Sequence, residues 1–170
     1  MSEAANNPSR SNRLTHIDEH GGARMVDVGQ KPISRRVATA RAVCVMNLET
    51  ANAVRGNTLK KGDVLQVARL AAIAAAKRTD ELIPLCHSVP LDSVAVEFEW
   101  IGEQKLQIEV TAVATGRTGV EMEALVASSL AGLTVYDMCK SSDREIRIEQ
   151  VQLVRKSGGV HGDFERSPNA

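Results

Sequence analysis

The sequence has very few aromatic residues: one Trp, one Tyr and two Phe among 170 positions. That is poor material for stacking nucleic-acid bases. Neither sign of charge is in excess, with 21 Lys and Arg against 21 Asp and Glu, so no global field draws the chain to nucleic acid or to an anionic membrane. Any anion site must therefore be a local cluster. Three cysteines, Cys44, Cys86 and Cys139, are scattered without a C-x-x-C pair, which argues against a disulfide framework. No basic-then-apolar leader opens the chain, and the longest uncharged helical run, residues 124–136, is too short to span a bilayer. The expectation is a soluble, cytoplasmic protein.

What is present is enough for one core. Hydrophobic residues make up 43% of the chain, and this length suits a single domain. Residues 1–13 and 162–170 read as disordered tails, leaving one domain over residues 14–161. Residues 36–48 alternate, with Ala38, Ala40, Ala42, Cys44, Met46 and Leu48 on one face, the period of a half-buried strand. Residues 49–55 suit a short helix closed by Gly56-Asn57. Residues 64–78 suit an Ala-rich helix with Asp63 as its N-cap. Pro84 and Pro90 break the next stretch into a loop. Two alternating strands around Gly102 read as a hairpin. Residues 119–140 form the longest predicted helix, with Thr118 and Glu121 as a capping box. The last strand, residues 144–155, loses phase between Ile148 and Val151, which predicts a bulge near Glu149-Gln150. The order is β-α-β-β-α-β with an extra helix, the α+β ferredoxin-like split β-α-β: a four-stranded antiparallel sheet with helices on one face. Residues 124–136 are uncharged all round, and a single sheet covers only one side of a helix; a subunit interface is the simplest cover for the rest.

Asp137 and Lys140 share a helix face at a spacing of three. One reading is a surface ion pair; the other is acid–base catalysis at the edge of a desolvated region. Lys61 precedes a helix N-terminus, whose dipole disfavours its charged form and favours a phosphate. His87, in the proline-bounded loop, has only the adjacent Cys86 as a soft partner, and His16 and His20 stand in a non-periodic region, so no zinc site is expected. The capping box accounts for Glu121 but not for Glu123. The stretch Thr115-Gly116-Arg117-Thr118-Gly119 can present backbone N–H groups to a polar ligand, and Lys156-Ser157-Gly158-Gly159 has the character of an anion contact. Arg35-Arg36 and Lys77-Arg78 are further basic pairs, each by itself an ordinary solvated charge.

Seven stretches together carry a resemblance: Met25-Val26-Asp27-Val28, Lys61-Gly62-Asp63, Ala76-Lys77-Arg78-Thr79, Leu82-Ile83-Pro84-Leu85-Cys86-His87, Gly119-Val120-Glu121-Met122-Glu123-Ala124-Leu125, Tyr136-Asp137-Met138-Cys139-Lys140 and Lys156-Ser157-Gly158-Gly159. In this order they resemble the cyclic pyranopterin monophosphate synthase family, the C proteins of molybdenum cofactor biosynthesis. The likeness runs from about residue 14 to residue 164. It implies conversion of 3′,8-cyclo-7,8-dihydroguanosine triphosphate into cyclic pyranopterin monophosphate and pyrophosphate. It implies a ferredoxin-like hexamer, a trimer of dimers with sites at dimer interfaces. Carried over residue by residue, it makes Asp137, Lys61 and Lys140 catalytic. Leu85, Cys86, His87, Met122 and Glu123 would bind the base side of the substrate, with Glu121 a further substrate contact. Arg36, Lys77 and Lys156 would hold the triphosphate. A magnesium ion could share in holding the triphosphate; no dedicated site for it is visible in the sequence. Ser88-Val89-Pro90 departs from the family, where proline commonly follows the histidine directly.

Two rivals belong to other classes. An RNA-binding module shares the split β-α-β order but needs aromatic residues on its central strands, where this chain offers Phe98 and Trp100. A regulatory small-ligand domain would explain pockets but not the pairing of Asp137 with Lys140.

Overall fold

The structure, a computed structural model, describes residues 20–160 and 162–167. Residues 1–13, expected to be a tail, lie outside the described residues.

Period-two alternation in the sequence becomes one shared sheet face. Strand β1 (Ser34–Val45) is central, between β3 (Lys105–Gly116) and β4 (Arg147–Ser157). Strand β2 (Ser93–Trp100) pairs with the outer side of β3, and β5 (Phe164–Glu165) with the outer side of β4. Every pairing is antiparallel. In register, Ala38 lies opposite Ala112, Ala40 opposite Val110, Ala42 opposite Ile108 and Cys44 opposite Leu106. All eight are fully buried, because the helices cover this face.

Those helices are α2 (Val64–Ala76) and α4 (Glu121–Cys139), with α1 (Leu48–Arg55) and α3 (Thr79–Leu82) as short connectors. The core joins Cys44, Leu106, Ile108 and Val110 of the sheet to Ala68 and Ala72 of α2 and to Ala127, Ala131 and Val135 of α4. Small side chains let the layers approach closely. At Gly132, a Cβ would stand 3.1 Å from Ile148 Cγ2 of β4. Helices α2 and α4 run antiparallel: Lys61, just ahead of α2, meets Asp137 at the far end of α4, while Lys77, at the C-terminal end of α2, shares a cavity with Glu123.

The α+β arrangement is the expected split β-α-β, with corrections at its margins. There are five strands, not four, because β5 adds an edge strand. Phe164–Glu165 is thereby tied to β4 inside the segment expected to be a flexible tail. Strand β1 ends at Val45 instead of running on to Leu48. There Asn47 takes over as the N-cap of α1, accepting from Thr50 N at 2.8 Å while its own N–H donates to Asp143 Oδ2 at 2.8 Å. The capping box proposed for Thr118 and Glu121 does not form: α4 starts after Val120 with no side-chain cap bond. Asp63 does cap α2, accepting from Gln66 N at 3.0 Å. The bulge in β4 falls where the phase breaks. The pairing shifts between Arg41 and Val43, and Gln150 takes the left-handed backbone at φ 55.

Candidate active site

The C-terminal end of α4 carries a three-member charge cluster. Asp137 and Lys140 sit one helical turn apart, and Lys140 Nζ donates to Asp137 Oδ1 at 2.6 Å. Lys61 arrives from 76 residues away through the packing of α2 against α4. Its Nζ donates to the backbone oxygen of Asp137 at 2.7 Å and stands 3.8 Å from Oδ2. The hydrogen bond from Lys140, then the charges of Lys140 and Lys61, hold the Asp137 carboxyl below its usual range. The same bond holds Lys140 above its usual range. The cluster is thus charged: one carboxylate gripped by two ammonium groups. The desolvation expected at this end of an apolar helix is not found within one chain, where the three side chains are 42–60% exposed.

The N-terminal end of α4 borders two cavities. The first, about 360 Å³, is lined by Leu85, Cys86 and His87 of the proline-bounded loop and by Met122, Glu123 and Glu121, with Val26 and Val28 opposite. His87 fixes that opposite wall, because its Nε2 stands 2.7 Å from Val26 O. A carbonyl only accepts, so Nε2 carries the proton. Glu123 is 4% exposed, and its burial, with the nearby Glu121 and Asp80 charges, raises its pKa. Burial, then Glu123 and Asp80, also raises the Cys86 thiol. Cys44 and Cys139, pushed up to about 12 and about 11 mainly by burial, belong to the core. Burial and the neighbouring carboxylates thus disfavour the Cys86 thiolate.

The second cavity, about 190 Å³, adjoins the first through Lys31, Thr118, Gly119 and Glu121. Four cations line it, Lys31, Arg36, Arg117 and Lys156, against one carboxylate, Glu121. Arg36 is 6% exposed. Its guanidinium donates to Gly116 O, Arg117 O and Pro32 O at 3.3, 3.4 and 3.5 Å. Gly158 and Gly159 fold over it in left-handed conformations, and a Cβ on Gly159 would fall on the guanidinium. Lys156 Nζ donates to Glu121 Oε1 at 2.8 Å. That charge-assisted bond takes the carboxylate the capping box would have used.

The residues expected to act together thus separate into two groups. Leu85, Cys86, His87, Met122, Glu123, Glu121, Arg36 and Lys156 gather at the N-terminal end of α4. Lys61, Asp137 and Lys140 gather at the other end, about 21 Å away for 14 residues of helix at ~1.5 Å each. Lys77 stands beside neither cavity; it lines a third, of about 290 Å³, which reaches the other side of Glu123. Sequence reasoning missed Lys31 and gave Arg117 no role as a side chain. Both are single basic residues beside glycine or proline, a pattern without specificity, although Arg117 follows a strand end directly. Among the described residues no three His, Cys, Asp or Glu side chains gather as a metal site. Nor, among those residues, is any helix long and apolar enough to cross a membrane.

Fold and site together define an α+β enzyme domain, with a titratable cluster and cavities at opposite ends of one helix. The MoaC family's pattern matches residues 25–159. The chain is 49% identical over 153 residues to the cyclic pyranopterin monophosphate synthase of Peptoclostridium acidaminophilum, covering 90% of this chain and 97% of that one. It is 51% identical over 154 residues to cyclic pyranopterin monophosphate synthase 1 of Mycobacterium tuberculosis (strain ATCC 25618 / H37Rv), covering 91% of each. The corresponding protein of Chloroflexus aurantiacus (strain ATCC 29366 / DSM 635 / J-10-fl) is 52% identical over 156 residues, covering 91% of this chain and 96% of that one. The chain belongs to the MoaC family.

Proposed function

We propose that the protein is a cyclic pyranopterin monophosphate synthase of molybdenum cofactor biosynthesis. It takes 3′,8-cyclo-7,8-dihydroguanosine triphosphate to cyclic pyranopterin monophosphate and releases pyrophosphate. The observation that carries this reading is the Lys61–Asp137–Lys140 cluster, in a chain about half identical to synthases over nine-tenths of its length. Opening a guanine ring and rebuilding it as a pterin needs several proton transfers. Two ammonium groups held by one carboxylate supply donors in fixed positions, and each, once it has given up a proton, becomes an acceptor. The mixed cavity at Leu85, Cys86, His87, Met122 and Glu123 suits the base. The basic cavity at Arg36 and Lys156, with Lys31 and Arg117, suits the phosphates and the charge that develops as pyrophosphate departs. A magnesium ion carried on those phosphates would enter as part of the substrate.

The active form in this reading is an oligomer, a hexamer built as a trimer of dimers with each site between two chains. Two observations support it. The cluster and the cavities lie too far apart in one chain to touch one small molecule. The helical layer also leaves Leu70 of α2 67% exposed and Leu133 of α4 51% exposed, apolar surface that a second copy would cover. Closing another chain over the open cluster would supply the missing desolvation.

The test is turnover by purified protein on the cyclic nucleotide, followed by pyrophosphate release and product mass. Lys61→Ala is expected to lower the rate at least about 100-fold, the scale of a lost general acid–base group, with an unchanged circular-dichroism spectrum. Tight, saturable binding without turnover by the intact oligomer would sink the reading in favour of a regulatory domain.

A further inference from the structure

The basic cavity contains a carboxylate that works against its purpose. Glu121 stands among four cations, where a negative charge repels any incoming phosphate. Its place is not explained by helix capping, since α4 has no side-chain cap bond. It is, however, built into the backbone. Glu121 folds back over Gly119, at which any Cβ would fall on the carboxylate. Oε1 accepts from Lys156 Nζ at 2.8 Å, and the two side chains are only 28% and 34% exposed. Glu121 also borders the neighbouring cavity, so its carboxylate stands at the boundary between the two.

We propose that Glu121 is a stand-in anion: it holds Lys156 in the basic cavity, yields the ammonium to a phosphate oxygen of an arriving ligand, and recaptures it as pyrophosphate leaves. The inference rests on reading that cavity as the phosphate subsite. Lys156 would otherwise be a long side chain free to swing into solvent, and ordering it would oppose binding. The carboxylate keeps it in place beforehand. It also competes with the product for the same ammonium, which weakens the grip on pyrophosphate and speeds its release. Glu121 is thus a positioning residue for Lys156.

The experiment is calorimetric titration of the full-length oligomer with inorganic pyrophosphate, which needs no substrate. Glu121→Gln removes the competing charge but keeps an amide oxygen to which Lys156 can still donate, so pyrophosphate should bind about fivefold tighter, the scale of one partly exposed ion pair. Gly119→Ala keeps the charge but displaces the carboxylate from Lys156, and it should also tighten binding. Lys156→Gln should weaken binding, and adding Glu121→Gln to it should recover less than the gain seen with Lys156 present. A folded Glu121→Gln protein that binds pyrophosphate no more tightly than the unsubstituted protein overturns the proposal, as does a full gain in the absence of Lys156. Those outcomes leave the synthase reading standing wherever turnover is seen. Conversely, absence of turnover with the predicted pyrophosphate series removes only the synthase reading.

Discussion

Two carboxyl groups on α4 meet opposite environments. Asp137 lies open to solvent between two ammonium groups, which hold it ionised. Glu123 is buried beside Glu121 and Asp80, which favours its protonated form. The environments thus pull the two carboxyls apart: Asp137 is held between the lysines, while Glu123, in the cavity beside Cys86 and His87, is biased toward its protonated form. The Glu123 shift has a stability consequence. A pKa raised on folding means the native state favours the protonated group, so its contribution is fully present below the unfolded value of about 4.3 and is lost as pH rises through the folded value. Glu123→Gln should therefore raise the thermal midpoint at pH 8 more than at pH 4.5, with about 2–4 °C for each kcal/mol relieved in a chain of this size. Equal differential-scanning shifts at both pH values would remove burial as the cause. The spacing of Asp137 and Lys140 was legible in the sequence because a helix brings residues three apart together. The burial of Glu123 was not, because it depends on α3 and the loop that follows it to Val89 packing beside it.

At the scale of elements, the site depends on what flanks α4 and β4. The Gly158-Gly159 turn closes over Arg36, and both residues take left-handed conformations. Gly159→Ala imposes backbone strain of about 1–2 kcal/mol and drives the Arg36 guanidinium from its carbonyl cage. A lower thermal midpoint and weaker phosphate binding are expected together; loss of stability with unchanged phosphate binding would separate the turn from the site. The glycine pair was visible in the sequence, but only as a flexible anion contact. The structure makes it the lid of a rigid arginine. The bulge near Gln150 was legible from the break in alternation. The second shift in pairing, between Thr39 and Ala40, was not, since it is set by how β4 meets β1 across the sheet.

For the whole molecule, the decisive feature is that α4 keeps the two halves of the candidate site apart. If each active site takes its cavities from one chain and its cluster from another, lesions at opposite ends of α4 can complement. Lys61→Ala and Glu123→Gln proteins, each expected to be strongly impaired alone, should regain activity when unfolded together and refolded as mixed oligomers. A mixed dimer has one doubly damaged site and one intact site, so about a quarter of normal activity is expected from random pairing. No recovery, with mixing verified by differently tagged chains, would place the whole site within one subunit. The apolar surface around Leu70 and Leu133 should meanwhile become protected from labelling as the oligomer forms.

The sequence by itself determined the features that local geometry sets. Period-two runs became strands, the uncharged run became a core helix, Asp63 capped α2, and Gly102 turned the hairpin at φ 109. Each is settled by steric rules and hydrogen bonds within a few residues. Only the tertiary structure decided which charges meet. Lys61 reaches Asp137 across 76 residues because α2 and α4 pack antiparallel. Lys156 reaches Glu121 across 35 because the register of β4, set after two pairing shifts, carries it toward α4. A shift of one residue would turn that lysine to the other face. The pair expected to be ambiguous, Asp137 with Lys140, is thereby two members of a three-residue cluster, and Glu121, expected to be a cap, pairs instead with Lys156 beside the basic cavity.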